Sequence, residues 1–597
     1  MKNKRTFTLS IIRSPYSDFY GKEIEDAIKA HPSWYLEEIK NEGFNAVWLH
    51  CILREIVSSK PFPEFGNETK LKALCDFVEY TSKFGIKVYL YLCEPRGFKE
   101  EDKFWKKYPE VKGQPHIFPD ELKETPFYAG KYYALCTSTE KVKDYLYESS
   151  YNLFKKVPGL GGVFLITASE FHTHCYSHYP KWLKEIKNFP EMVDWAKWGF
   201  YCKRCEKRKP HEVVAEIINL IKKGIKDANK NADVIAWTWS WNIIEPEPHK
   251  NLINSLSDDV ILMSDFERGG YKFMKGKRYP VDEYSLSYVG PSPRFKKIIK
   301  IAKKKGMRVM AKLQMGTTHE IVTVPYIPVI YSFAEKLERM RKMKINGFLS
   351  CWIFGGNISP MSKIAGKFSI SKKSKKEIIK EVVISEFGKN VSEYVLRGWK
   401  KFSEAFSYYP FSIPFIYNGP INYATIYPLL LNVEKIGVIP SWRPLPRDEN
   451  GNLNIGDNLE TFLDIPYSTF IHQVNKLLKK WDEGIEFLKK GIEIDKDNLR
   501  LKKEIDLALH IYLSFKSCIN IVDFYRNLRE YRRGNKEKIK RILEDELEIT
   551  ERDFEIFKRN PEFGYHPEAF ENFLRESDYI YKIKQIQHQL TSFFGNH

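Results

Sequence analysis

The chain has 597 residues, 43% hydrophobic and 29% charged, so it is long enough for two or three folded domains and too apolar for a disordered protein. Lys and Arg outnumber Asp and Glu by 96 to 77, a net charge of +19, but the lysines spread over helix faces. Even the densest run, SKKSKKEIIKE (371–381), reads as a solvated face rather than a nucleic-acid footprint.

Eight apolar runs follow one another: TFTLSII (6–12), NAVWLHCI (45–52), IKVYLYL (86–92), GGVFLI (161–166), DVIAWTW (233–239), DVILMS (259–264), RVMAKLQ (308–314) and GFLSCWI (347–353). Runs this apolar suit strands buried on both faces, as in a parallel sheet. Helical patterns such as VVAEIINLIKKGIKDANKN (213–231) and RFKKIIKIAKKKG (294–306) separate them. The expected fold is an α/β (β/α)8 barrel over 1–370, with a long insertion at about 95–140 rich in Pro, Gly and aromatics. A helical and irregular segment, 371–464, is expected to pack on the barrel. An α-helical C-terminal domain follows over 465–597.

Nine cysteines, an odd number spread along the chain, argue against a disulfide framework and for a reducing compartment. The first residues enter a strand without a secretory apolar core, and no run of roughly eighteen apolar residues stands out. A cytoplasmic protein without a membrane span is expected, and the C-terminal helices offer a surface for a homo-oligomer.

Barrel active sites lie at the C-terminal strand ends. Those ends carry His50, Glu94, Glu170, Trp239, Asp265, Gln314 and Trp352. Glu170 follows the fourth run in ITASEF, where a carboxyl desolvated by aromatics acts as a general acid. Trp237, Trp239 and Trp241 alternate along WTWSWN and are expected to share one face, suited to stacking a sugar ring. Asp265 and Glu267 follow the sixth run and Glu320 the seventh, and each is a candidate second carboxylate. Gln314 and Asn357 can hydrogen-bond hydroxyls.

A second pattern begins at His172-Thr-His174-Cys175 and ends at Cys202-Lys-Arg-Cys205. Three thiols and one imidazole make a closed tetrahedral set, so structural Zn2+ is expected on His174 (or His172), Cys175, Cys202 and Cys205.

The glutamate of ITASEF, the tryptophan-rich fifth run and Trp352 give the chain a resemblance, over roughly 1–360, to (β/α)8 glycoside hydrolases of the family 20 β-N-acetylhexosaminidase type. The resemblance implies an exo-acting glycosidase on a terminal sugar, a β-linked N-acetylhexosamine, with Glu170 as acid. Family 20 enzymes pair that Glu with a preceding Asp that orients the acetamido group. Ser169 stands at that place. A carbohydrate is then the expected partner. Two other readings stay open: a zinc-dependent hydrolase on the same barrel, and a non-catalytic carbohydrate- or nucleic-acid-binding protein.

Overall fold

The computed structural model describes residues 5–19, 21–118, 130–178, 200–432, 440–532 and 536–594. Part of the predicted insertion, 119–129, lies outside them, as do the last three residues of the C-terminal region.

The eight predicted runs form eight parallel strands closed into a barrel: β1 (Leu9–Ile12), β2 (Ala46–Cys51), β3 (Lys87–Leu92), β4 (Gly162–Leu165), β5 (Asp233–Trp237), β6 (Ile261–Asp265), β7 (Val309–Lys312) and β8 (Gly347–Leu349). Closure is by β1 beside β8, with Leu9 opposite Gly347. Between them run α1 (Ser33–Glu42), α2 (Glu68–Ser82), α3 (Glu140–Lys156), α4 (Pro210–Ala228), α5 (Lys250–Ser255), α6 (Pro293–Lys304) and α7 (Ile330–Lys342), and α8 (Pro360–Ile370) follows β8.

Strand alternation sorts the side chains. Val47, Leu49, Val88, Leu90, Val163 and Leu262 face outward under the helices. Ile11, Trp48, Tyr89, Tyr91, Phe164, Trp237, Met263 and Met310 face inward and fill the barrel. Two residues further along each inward series come His50, Trp239, Asp265 and Lys312. Period-two geometry therefore delivers these four to the mouth.

Side-chain caps start two of these helices. Asn67 accepts from Lys70 N–H at 3.0 Å to cap α2, and Ser292 accepts from Phe295 N–H at 3.0 Å to cap α6.

Beyond the barrel lie α9 (Lys375–Phe387), α10 (Ser392–Phe406), α11 (Tyr467–Ile494), α12 (Leu499–Arg532), α13 (Glu537–Arg559) and α14 (Glu576–Phe594). A Cβ on Gly398 of α10 would sit 3.1 Å from the Gly484 carbonyl of α11, so these two glycines let the helix backbones approach closely. Over Leu499–Leu528, α12 is long and apolar enough to cross a membrane by length and composition. That window is 67% buried, at the centre of the helical region.

The C-terminal region is tied to the barrel's C-terminal end. Asn422 Oδ1 accepts from Val322 N–H at 2.8 Å, and Gly564 N–H donates to Thr323 O at 2.8 Å. Both contacts fall on the loop after β7, so the helical region overhangs the mouth.

Candidate active site

The floor of the mouth is aromatic. Trp48 and Trp352 stack at 5.1 Å between ring centroids, and Trp237 meets Trp352 edge-on at 5.4 Å. Above them Trp239 lies against Tyr284 at 5.6 Å. The Arg268 guanidinium sits 4.1 Å from the Trp239 ring and the Lys312 ammonium 4.0 Å from the Tyr284 ring.

Glu170 stands at this wall, partly exposed. Its backbone is left-handed, with φ of 73°, a conformation that a non-glycine residue adopts at a cost. Its Oε1 accepts from Trp239 Nε1–H at 2.7 Å. Burial pushes the Glu170 carboxyl up to about 7. The Trp239 bond pulls it down, the charges of Glu568 and Glu283 push it up, and Arg268 pulls it down.

Asp265 is buried and accepts from Trp237 Nε1–H at 3.1 Å. Burial pushes its carboxyl up to about 6, against the nearby Arg268, Lys312 and Arg294.

Glu283 reaches the mouth by a detour. After β6 the chain runs out and back through an antiparallel hairpin, Gly270–Met274 and Lys277–Val281, with Gly270 opposite Val281. The hairpin returns Asp282, Glu283 and Tyr284 beside the end of β6. Glu283 accepts from the Tyr417 hydroxyl and, at 2.8 Å, from Tyr284 N–H. Arg268 is held by Asp282 Oδ1, at 2.9 Å from its Nε.

The C-terminal region supplies Glu568. Its Oε2 lies 3.2 Å from His319 Nε2, on the loop after β7. Burial opposes the charged form of His319, but the hydrogen bond and charge of Glu568, with Glu283 behind, outweigh it and raise the imidazole's pKa. Tyr417 and Trp442 pack edge-on against the same ring at 5.4 and 6.1 Å.

Several residues singled out in the sequence take other places. Glu267 is fully buried and paired with Lys336 of α7, with Nζ to Oε1 at 2.5 Å. Glu320 is buried as an anchor: it accepts from Ser285 Oγ at 2.8 Å, Leu286 N–H at 2.6 Å and Thr318 Oγ1 at 2.8 Å. It holds the loop that carries Tyr284 and does not face Glu170. Trp241 leaves the tryptophan face because Ser240 adopts φ of 59° and ends the alternation. Its indole packs outside the barrel and donates to Thr167 Oγ1 at 3.0 Å.

Gln314 is buried and ties strand ends, donating to Phe354 O at 2.9 Å and accepting from Lys312 Nζ at 2.9 Å. Asn357 donates to Pro325 O at 3.3 Å. Glu94 caps its own loop, accepting from Leu53 N–H at 2.8 Å and Arg96 N–H at 2.7 Å. His50 lies at the mouth between Phe19 and Phe171, with Arg96 Nη2 2.9 Å from its Nε2.

The thiols converge behind the Glu170 loop. Cys136, Cys175, Cys202 and Cys205 are all buried, with their sulfurs within 4.8 Å of one another. Cys136 Sγ lies 3.5 Å from Cys202 Sγ and 3.7 Å from Cys205 Sγ. A tetrahedron with Zn–S bonds of about 2.3 Å has edges of about 3.8 Å. Disulfide sulfurs lie at about 2.0 Å. The donor set thus fits a closed four-thiolate zinc site.

The fourth place belongs to Cys136, not to the expected His174 or His172. The His174 ring points elsewhere, with Nε2 2.5 Å from Thr167 O. Cys136 directly follows the insertion strand Gly130–Leu135, and its N–H donates to Val111 O at 2.9 Å. The sequence pattern passes over it because it lies far upstream of the CxxC.

No protein-family model matches the chain, and no curated protein sequence does. Among solved structures the chain is similar to a GH138 enzyme targeting pectin rhamnogalacturonan II. That pair has 10% identity and a TM-score of 0.53, covering 99% of this chain and 69% of the other. It is similar too to a family 89 glycoside hydrolase from Clostridium perfringens, solved in complex with 2-acetamido-1,2-dideoxynojirmycin, at 11% identity and TM-score 0.54. The chain is covered to 99% there and spans 64% of that enzyme's length. What is shared is the fold. A (β/α)8 barrel followed by a mostly helical region is common to this chain and these enzymes.

Proposed function

We propose that the chain is a glycoside hydrolase acting on a terminal sugar, with Glu170 as general acid. The observation that carries this is the Glu170 carboxyl: it stands at the C-terminal barrel end, held by Trp239, with its proton affinity raised to about 7 by desolvation. A carboxyl in that state holds a proton near neutral pH and can give it to a departing sugar oxygen.

Glu283 serves as the second carboxylate. It is one of the charges that Glu170 feels, and Tyr417 and Tyr284 orient it. Asp265 stands on the floor side, bonded to Trp237, and holds a sugar hydroxyl. Ser169 hydrogen-bonds Ser240 Oγ at 2.6 Å and offers no carboxylate to an acetamido group. The hydrolysis therefore runs on two protein carboxylates.

Overhang by Glu568, His319, Tyr417 and Trp442 supports a pocket that takes a chain end, hence exo action. An N-acetylhexosamine is the first sugar to try: the family 20 resemblance suggests a β linkage, and the 2-acetamido ligand of the Clostridium perfringens fold neighbour supports the N-acetyl sugar but not the linkage. The zinc fits as a structural ion on Cys136, Cys175, Cys202 and Cys205 that holds the insertion to the Glu170 loop.

The test is Glu170→Gln on a panel of aryl and alkyl glycosides. The variant loses about 10²–10⁴-fold on alkyl leaving groups, which need the proton, and far less on nitrophenyl ones. Equal losses on both, or none, rule Glu170 out as the acid.

A further inference from the structure

A second donor cluster lies beside the four thiols. His116, His172 and His178 are buried, and one ring nitrogen from each lies within 4.8 Å of the others. We propose that these three imidazoles form a second metal site, for a divalent first-row transition ion of the zinc, cobalt or nickel type.

The chain brings the three together by the same two segments that build the thiol site. Gln114 and His116 share the buried face of the insertion strand Lys112–Phe118. Gln114 N–H lies over Cys175 Sγ at 3.4 Å, and His116 follows two residues on. The loop after β4 is folded on itself, with His178 N–H donating to Ala168 O at 2.8 Å. It sends Cys175 to the thiols and His172 and His178 to the imidazole cluster.

The ring geometry is that of convergence rather than stacking. His116 meets His172 at 81° and His178 at 85°, so the rings cannot lie face to face, while in-plane lone pairs can meet at one point. Tyr132 stacks on His172 at 4.3 Å and fixes that ring's plane. A tetrahedral ion with bonds of about 2.0–2.1 Å sets its nitrogens about 3.3–3.4 Å apart. Side-chain torsions supply the closing movement.

Some other buried histidines place one ring nitrogen on a protein oxygen. His31 Nδ1 lies 2.8 Å from Ala27 O, His249 Nδ1 2.9 Å from Glu245 O and His510 Nδ1 2.7 Å from Asp553 Oδ1. His116 Nε2, like His31 Nε2 and His566 Nε2, is buried with no hydrogen-bond partner among the described residues, and at His116 two further imidazoles lie within reach. A nitrogen taken out of water without a partner destabilises the fold, and a bound cation offsets that cost.

Charge favours the pairing of sites. A zinc ion on four thiolates carries a net charge of −2, and a divalent ion on three neutral imidazoles carries +2. Placed on one loop, each reduces the cost of burying the other. Three protein ligands leave a fourth position for water or an anion. His116, His172 and His178 are positioning residues here: with an ion bound, they clamp the loop two residues beyond Glu170.

The test is metal content of the tag-free full chain, loaded with Co2+ or Zn2+ and freed of loose ions. Wild type retains two ions per chain. The double variant His116→Gln/His178→Gln retains one, and Cys202→Ser loses the other. Co2+ titration of wild type gives two phases, one with thiolate charge-transfer absorption and one with only weak d–d bands. A single thiolate phase, or equal metal content in wild type and the histidine variant, overturns the proposal. Both readouts are independent of glycosidase activity, and the wild-type titration stands even if the double variant does not fold.

Discussion

Glu568 and His319 meet at 3.2 Å across the interface between the C-terminal helical region and the loop after β7. The contact places a carboxylate from late in the chain among the charges that act on Glu170. The barrel mouth is therefore completed by a part of the chain outside the barrel.

Glu568→Gln removes one of the negative charges that hold the Glu170 proton. As the acid, Glu170 must be protonated, so kcat/KM on poor leaving groups falls as pH rises through about 7. In Glu568→Gln that falling limb moves to lower pH. The His319 pKa, which Glu568 raises against burial, moves down as well. A pH–rate profile and imidazole NMR titration check the two shifts, and an unmoved limb would separate Glu568 from the acid.

Trp239→Phe acts in the opposite direction. The indole N–H bonds the Glu170 carboxylate at 2.7 Å and favours its ionised form. A hydrogen bond to a charged group is worth about 1.5–3 kcal/mol, so its loss moves the falling limb up by about 1–2 pH units. The same pH–rate profile reads it.

Stability carries a matching signature at Glu170. Its folded pKa of about 7 lies above the unfolded value of about 4.3, so the stability it confers is full below the unfolded value and is lost as pH rises through the folded one. Glu170→Gln matches wild type in melting temperature at acid pH and exceeds it above pH 7. Calorimetry at the two ends checks the sign.

Lys336→Met leaves the Glu267 carboxylate buried without its partner, at a cost of about 3–5 kcal/mol. Glu267→Gln costs stability too and leaves kcat unchanged in the folded enzyme, since Glu267 faces α7. A large fall in kcat without a fall in melting temperature would return Glu267 to the reacting groups.

Cys136→Ser lowers zinc content and melting temperature together, and His174→Ala leaves zinc content at the wild-type level. Elemental analysis decides between the four-thiol set and the set read from the sequence, in which His174 stood where Cys136 stands.

The barrel was legible because its strands are buried on both faces, and that burial writes continuous apolar runs into the sequence. The place of Glu170 was legible for the same reason: its distance from the fourth run sets it at a strand end. Strand alternation predicted Trp237 and Trp239 together, and failed at Trp241 because the left-handed turn at Ser240 leaves no periodic signal. Glu320 and Glu267 were the right residue type at strand ends, but the direction of each carboxyl depends on Ser285, Leu286 and Lys336, which only packing brings near.

The sequence by itself determined the eight-fold strand–helix order, the helical C-terminal region and three of the four clustered thiols, because each rests on local periodicity or short spacing. Only the tertiary structure decided that Cys136 and His116 reach the loop after β4, that a hairpin returns Glu283 beside Asp265, and that Glu568 closes over the mouth. These are contacts between residues distant along the chain, and they arise from how the insertion and the helical region pack on the barrel, which no local pattern encodes.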